Sequence, residues 1–169
     1  LNFILDKTLE VINSLEKDGV IGKYAIGGAI GAMFYTEPSA TFDLDVFCFI
    51  PNSGILIDLG PLFGKLRELG YSENEEGAMV IEGIPVQFIV PPQGLEEEAL
   101  EQAVEQKVYG INTRVFTYEH LLAIMAKTAR SKDIGRIGQC LESREPDATR
   151  LKDILSRYNL LDKWDKIAS

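Results

Sequence analysis

The chain has 169 residues, 46% of them hydrophobic, and a formal net charge of −9. That length suits one domain with a small appendage, and the apolar share is that of a globular protein with a real core. The acidic balance excludes a broad cationic grip on nucleic acid, and charges or turn residues interrupt every apolar run before it is long enough to span a bilayer.

The chain opens on Leu1 rather than methionine, so the natural N-terminus is expected to be missing or processed, and no signal-peptide pattern is visible. Ile4, Leu5, Leu9, Ile12 and Leu15 recur at helical spacing and predict an amphipathic helix over 1–17, ended by Asp18-Gly19. A short strand over 23–26 runs into the pair Gly27-Gly28, followed by a short helix over 29–35. A greasy strand over 43–50 begins with Asp43 and Asp45 and stops at Pro51-Asn52-Ser53-Gly54. A helix is predicted over 55–69, with Gly70 where a left-handed residue would end it.

Strand-like runs over 78–81 and 84–90 flank Glu82-Gly83 and predict a hairpin. An acidic helix is expected over 95–106 and a last strand over 111–116. Beyond Thr117, a candidate N-cap, helices are predicted over 118–130, 133–143 and, after an Asp147 cap, 148–158. The alternation gives an α+β (α/β) fold, a mixed sheet flanked by helices. It divides into a core over 1–117 and a C-terminal helical extension over 118–169 packed on it. Cys48 and Cys140 lack C-x-x-C spacing and read as buried free thiols of a reducing, cytoplasmic compartment. His120, the only histidine, has no ligand cluster around it, so no zinc site is expected.

Residues two apart on a strand share a face, so Asp43 and Asp45 are neighbours, about 7 Å apart at the backbone. Their side continues as Phe47 and Phe49, and the other carries Leu44, Val46, Cys48 and Ile50. Apolar residues on both faces mark a central strand covered on both sides. Two carboxylates at the edge of such a core repel each other unless one keeps its proton or a cation sits between them. Magnesium meets that need with hard oxygen ligands, and two aspartates so spaced can bridge a metal pair about 4 Å apart. A solvated loop end is the other meaning of D-x-D. Gly27-Gly28 lets backbone approach a phosphate at a helix start, or serves tight helix-on-strand packing. If the strand over 23–26 lies antiparallel beside the one over 43–50, the glycine turn lands next to the aspartates.

Gly27-Gly28 followed by Thr41-Phe42-Asp43-Leu44-Asp45-Val46 resembles the signature of the nucleotidyltransferase fold superfamily, to which DNA polymerase beta belongs. With Lys127, Arg130, Lys132 and Asp133 in "KTARSKD", the chain is most similar to the bacterial branch of AbiEii-type toxins and nucleotidyltransferase-like proteins. The similarity runs from about residue 4 to 160. It implies transfer of a nucleoside monophosphate from a nucleoside triphosphate to an acceptor hydroxyl on a small molecule, a protein side chain or an RNA end. It implies two magnesium ions held by three carboxylates, with Asp43 and Asp45 as catalytic metal ligands. Gly27 and Gly28 would contact the triphosphate, and Lys127, Arg130 and Lys132 would neutralise its charge. Asp133 reads as a helix cap or a partner for a cation.

The sequence departs from that pattern in two places. Gln87 stands at the third-carboxylate position, and an amide cannot take a hydroxyl proton at neutral pH. Glu82 at the hairpin turn is a distant substitute. Ser39 stands where an arginine is common. A catalytically weakened protein, binding a nucleotide or a partner beside a toxin–antitoxin system, is therefore the second reading. A scaffold that binds a protein through its acidic helix at 96–101 is the third.

Overall fold

The computed structural model describes residues 4–36, 43–51 and 54–169. The elements are α1 (Ile4–Lys17), β1 (Tyr24–Gly27), α2 (Gly28–Ala32), β2 (Leu44–Cys48), α3 (Gly60–Glu68), β3 (Ser72–Glu73), β4 (Met79–Ile81) and β5 (Ile84–Ile89). They continue as α4 (Leu95–Glu101), β6 (Val104–Val108), β7 (Ile111–Val115), α5 (Tyr118–Thr128), α6 (Ser131–Ser143), α7 (Ala148–Arg157) and α8 (Leu161–Ala168).

One mixed sheet carries the strands in the order β3-β4-β5-β2-β1-β7-β6. β2 is central, as its two apolar faces require. Leu44, Val46 and Cys48 point into a cluster with Leu5, Leu9 and Ile12 of α1 and Leu62 and Leu66 of α3. Phe47 points to the other side, into a cluster with Leu95 of α4, Leu121 and Leu122 of α5, Ile137 of α6 and Leu151 of α7. Cys48 and Cys140 are buried free thiols, one in each cluster. No helix among the described residues is long and apolar enough to cross a membrane.

The hairpin at Glu82-Gly83 forms as expected, with both residues at positive φ (50° and 83°), the turn that matches strand twist. Thr117 and Asp147 cap α5 and α7, accepting from the backbone N–H groups of His120 and Arg150. Several elements differ from expectation, among them the short strand β3, which was not predicted, and α2, which ends at Ala32. The helix predicted from residue 55 starts only at Gly60, because Pro61 has no N–H to bond and belongs in a first turn. Asp58 Oδ1 accepts from the Gly60 N–H at 2.8 Å there. The acidic helix stops at Glu101 rather than 106, because Val104–Val108 pairs with β7 through a Tyr109-Gly110 turn of the same positive-φ type. A last helix, α8, was not foreseen; Leu161, Trp164 and Ile167 pack it against the second cluster.

Candidate active site

The sheet register assembles the site. β1 runs antiparallel to β2 and sets Gly27 opposite Asp45. β5 runs parallel to β2 on its other side and sets Gln87 beside Asp45. The glycine turn, the aspartate and the glutamine thus stand in one row across three strands. The two glycines do different work. A Cβ on Gly27 would lie 2.7 Å from Phe47 Cε2 and 2.9 Å from Phe116 Cε2, so this glycine permits packing. Gly28 has φ +60°, and a Cβ there would strike the Oδ2 of Asp45 and reach within 3.0 Å of its Cγ. Only glycine lets the backbone press so closely on that carboxylate in that conformation.

In front of this row lies a cleft of about 470 Å³. Its sheet wall carries Gly28, Asp43, Asp45 and Gln87, over an apolar floor that includes Phe47, Phe116, Leu121 and Met125. Arg130, Lys132 and Arg136 reach the cleft from the start of α6. Asp43 is exposed and Asp45 half-buried. Burial, then the charge of Asp43, pushes the Asp45 carboxyl above its ordinary range, while Lys132, Arg130 and Arg136 pull it back. Those cations act on Asp45 through space, since none of them forms an ion pair with it.

The expected phosphate-binding cations separate into two kinds. Lys127 is not part of the cleft lining; its Nζ donates to both oxygens of Glu96 at 2.9 and 2.8 Å. Arg130 lines the cleft but donates Nε to Asp133 Oδ2 at 2.7 Å and Nη2 to Oδ1 at 3.2 Å. Lys132 lines the cleft. Asp133 both caps α6 and holds Arg130, as its position suggested. Burial pushes its carboxyl up, but hydrogen bonds from the Arg130 side chain, Thr128 and the Arg130 backbone outweigh this and hold it below the usual range.

Sequence reasoning missed two charged lining residues. Arg136 follows Lys132 by four positions, so a helix over 133–143 put it in reach, but only the docking of α6 shows that it faces the cleft. Glu96 is reached through the α4 turn and is neutralised by Lys127. Glu82 does not line the cleft and accepts instead from the Tyr71 hydroxyl at 2.8 Å. Ser39 lies outside the described residues. His120 is buried between Thr117 (Nδ1–Oγ1 2.7 Å) and Glu98 (Nε2–Oε2 2.8 Å).

Two carboxylates and one amide oxygen, all hard donors, suit a magnesium ion that takes few protein ligands and completes its shell with water and phosphate. Among the described residues, no cluster of three or more His, Cys, Asp or Glu offers a fuller set.

The model of a protein family described as "nucleotidyl transferase of unknown function (DUF2204)" matches residues 4–157. No curated protein matches the chain. Among solved structures, the chain is similar to an antigenic nucleotidyltransferase-like protein from Paracoccidioides brasiliensis, with a TM-score of 0.59 and 13% identity over 96% of this chain and 91% of that one. The antibiotic-resistance factor ANT(2'')-Ia gives a TM-score of 0.54 and 17% identity over 94% and 95%. At these identities the likeness is one of fold.

Proposed function

The chain belongs to this family of nucleotidyl transferases, and on that premise we propose that it moves a nucleoside monophosphate from a nucleoside triphosphate to an acceptor hydroxyl, with magnesium. The observation that carries this reading is the gathering of a close-approach glycine, two carboxylates and three cations around one cleft. The acceptor oxygen attacks the α-phosphorus, the bond to the β-phosphate oxygen breaks, and pyrophosphate leaves in line. Asp43 and Asp45, with the Gln87 carbonyl as a neutral third donor, would hold magnesium, which supplies charge neutralisation at the reacting phosphate. Gly28 admits the triphosphate to the backbone, while Gly27, outside the cleft lining, holds the turn through its packing on Phe47 and Phe116. Lys132 and Arg130 offset its charge from the opposite wall, whereas Lys127, outside the cleft lining, is taken up by Glu96. Catalysis of this kind is mostly positioning and electrostatics.

A panel of nucleoside triphosphates in a thermal-shift assay, with and without magnesium, tests the reading. The expected result is magnesium-dependent stabilisation by at least one triphosphate, lost when Asp43→Asn and Asp45→Asn are combined. Labelled nucleotide should reach an acceptor with release of pyrophosphate, and the double variant should lose at least about a hundredfold of that rate, the scale of one lost transition-state contact. No nucleotide effect at all would remove this reading.

Gln87 favours a second one. It stands in register with Asp45, where the fold's active members place a carboxylate, so the chain would bind nucleotide without turnover and act as a nucleotide- or partner-binding module, for example beside a toxin–antitoxin pair. Stabilisation by nucleotide with no pyrophosphate released, and no change on Gln87→Asp, would select it.

A further inference from the structure

The cleft sorts its charges. Glu96 is taken by Lys127 and Asp133 by Arg130. That leaves Asp43 and Asp45 on the sheet wall, and Lys132 and Arg136 on α6, with no salt bridge among the described residues. Lys132 and Arg136 are four apart, so they project from one face of α6, one turn above the other. Both line the same cleft as Asp43 and Asp45. Two cations so placed, and committed to nothing, are a site for an anion lying between them and the aspartates.

We propose that Lys132 and Arg136 form the phosphate fork of this cleft, and that Arg136 is the residue that selects a triphosphate over a monophosphate. The proposal rests on the nucleotide reading above and narrows it. A phosphate held by Lys127 or Arg130 would first have to break a carboxylate pair, exposing Glu96 or Asp133 as a buried bare charge. Lys132 and Arg136 carry no such penalty. Lysine offers a point charge to any phosphate, whereas the planar guanidinium engages two oxygens at once and rewards a chain of phosphates. Arg136 is one helical turn, about 5.4 Å, beyond Lys132, a step longer than that between neighbouring phosphorus atoms and suited to the two ends of a phosphate chain. A monophosphate satisfies one of the two cations, while a triphosphate spans both.

Inorganic tripolyphosphate, pyrophosphate and phosphate, beside a nucleoside triphosphate and its monophosphate, separate the possibilities. Each is titrated by calorimetry with magnesium present, against wild type, Arg136→Gln and Arg136→Lys. Wild type should prefer tripolyphosphate to phosphate. Arg136→Gln should weaken tripolyphosphate and the nucleoside triphosphate by about tenfold or more, leaving the monophosphate nearly unchanged. Arg136→Lys should restore part of the loss. Arg136 makes no ion pair, so the ligand-free melting temperature of both variants should match wild type, which separates a lost contact from a lost fold. If the nucleoside triphosphate binds wild type and Arg136→Gln equally, the fork is wrong and the nucleotide reading stands. If tripolyphosphate binds through Arg136 and no nucleotide does, the fork stands and the nucleotide reading falls. If wild type binds neither, both fall.

Discussion

Two carboxylates in this molecule sit near cations and meet opposite fates. Glu98, on α4, accepts from His120 Nε2 at 2.8 Å and from both terminal nitrogens of Arg157 on α7. Hydrogen bonding from Arg157, with help from His120, outweighs burial and brings the Glu98 carboxyl down to about 2. Asp45, on β2, has three cations across the cleft and a bond from none, and its carboxyl is pushed up. The first arrangement ties three helices together and leaves nothing to bind. The second leaves a carboxylate without a bonded partner at the mouth of a cleft, an arrangement that a ligand can complete. On the function proposed above, the difference separates a structural knot from a binding site.

The sharpest way to break this comparison is Glu98→Gln. It removes one charge from a knot in which His120 is fully buried, where burial, opposed by Glu98, draws the imidazole below its ordinary range. A loss of about 2 kcal/mol, or a fall in Tm of about 4–8 °C, is expected. The pH dependence has a definite sign. Glu98 is lower in the folded state than its ordinary 4.5, so its contribution is present above that pH and disappears as pH falls towards about 2. The melting curves of wild type and variant should converge on acidification. Stabilisation by nucleotide should be equal in the two proteins. A variant that kept its stability and lost the nucleotide effect would place function in the knot instead.

Gly28→Ala probes the other region. The new methyl meets φ +60° and the Asp45 carboxylate together, and a cost of about 1–2 kcal/mol is expected, with loss of the magnesium-dependent nucleotide shift. Gly138→Ala on α6 is the control. Nothing lies within 4 Å of its added Cβ, and a helical alanine there should stabilise by about 0.5–1 kcal/mol. Equal behaviour of the two variants in a thermal melt would mean that Asp45 does not depend on the glycine beside it.

The same contrast explains what the sequence disclosed. Asp43, Asp45 and the glycine pair were legible because a strand has a period of two and a diglycine marks a sharp turn. Gln87 was legible because a polar residue interrupts an apolar strand. The antiparallel pairing that joins them followed as a condition and is met by the Gly27–Asp45 register. Charges on helices were harder. Lys127 and Glu96 lie 31 residues apart, and no local pattern announces their pairing. Nor could spacing alone tell that Arg136 faces the cleft while Ile134 points to solvent. β6 was hidden for a related reason: the acidic run of α4 continues smoothly into it, and only hydrogen bonding to β7 decides for strand. Pro61 was a local signal, and it overrides the apolar run at Ile55, Leu56 and Ile57, which is left exposed.

The smallest expected effect is the most discriminating. Asp45 binds its proton more tightly folded than unfolded, because burial and Asp43 raise it from 3.8. Its ionisation therefore destabilises the ligand-free protein. That penalty grows as pH rises through 3.8 towards the folded value and is complete above it. Asp45→Asn removes the penalty, so at neutral pH the ligand-free variant should melt about 1–3 °C above wild type. The gap should close as pH falls below 3.8. On the function proposed above, a residue that destabilises its own fold when charged is kept for the ligand it binds. Were Asp45→Asn instead to melt as far below wild type as Glu98→Gln, Asp45 would have a structural partner, and the two carboxylates would be of one kind.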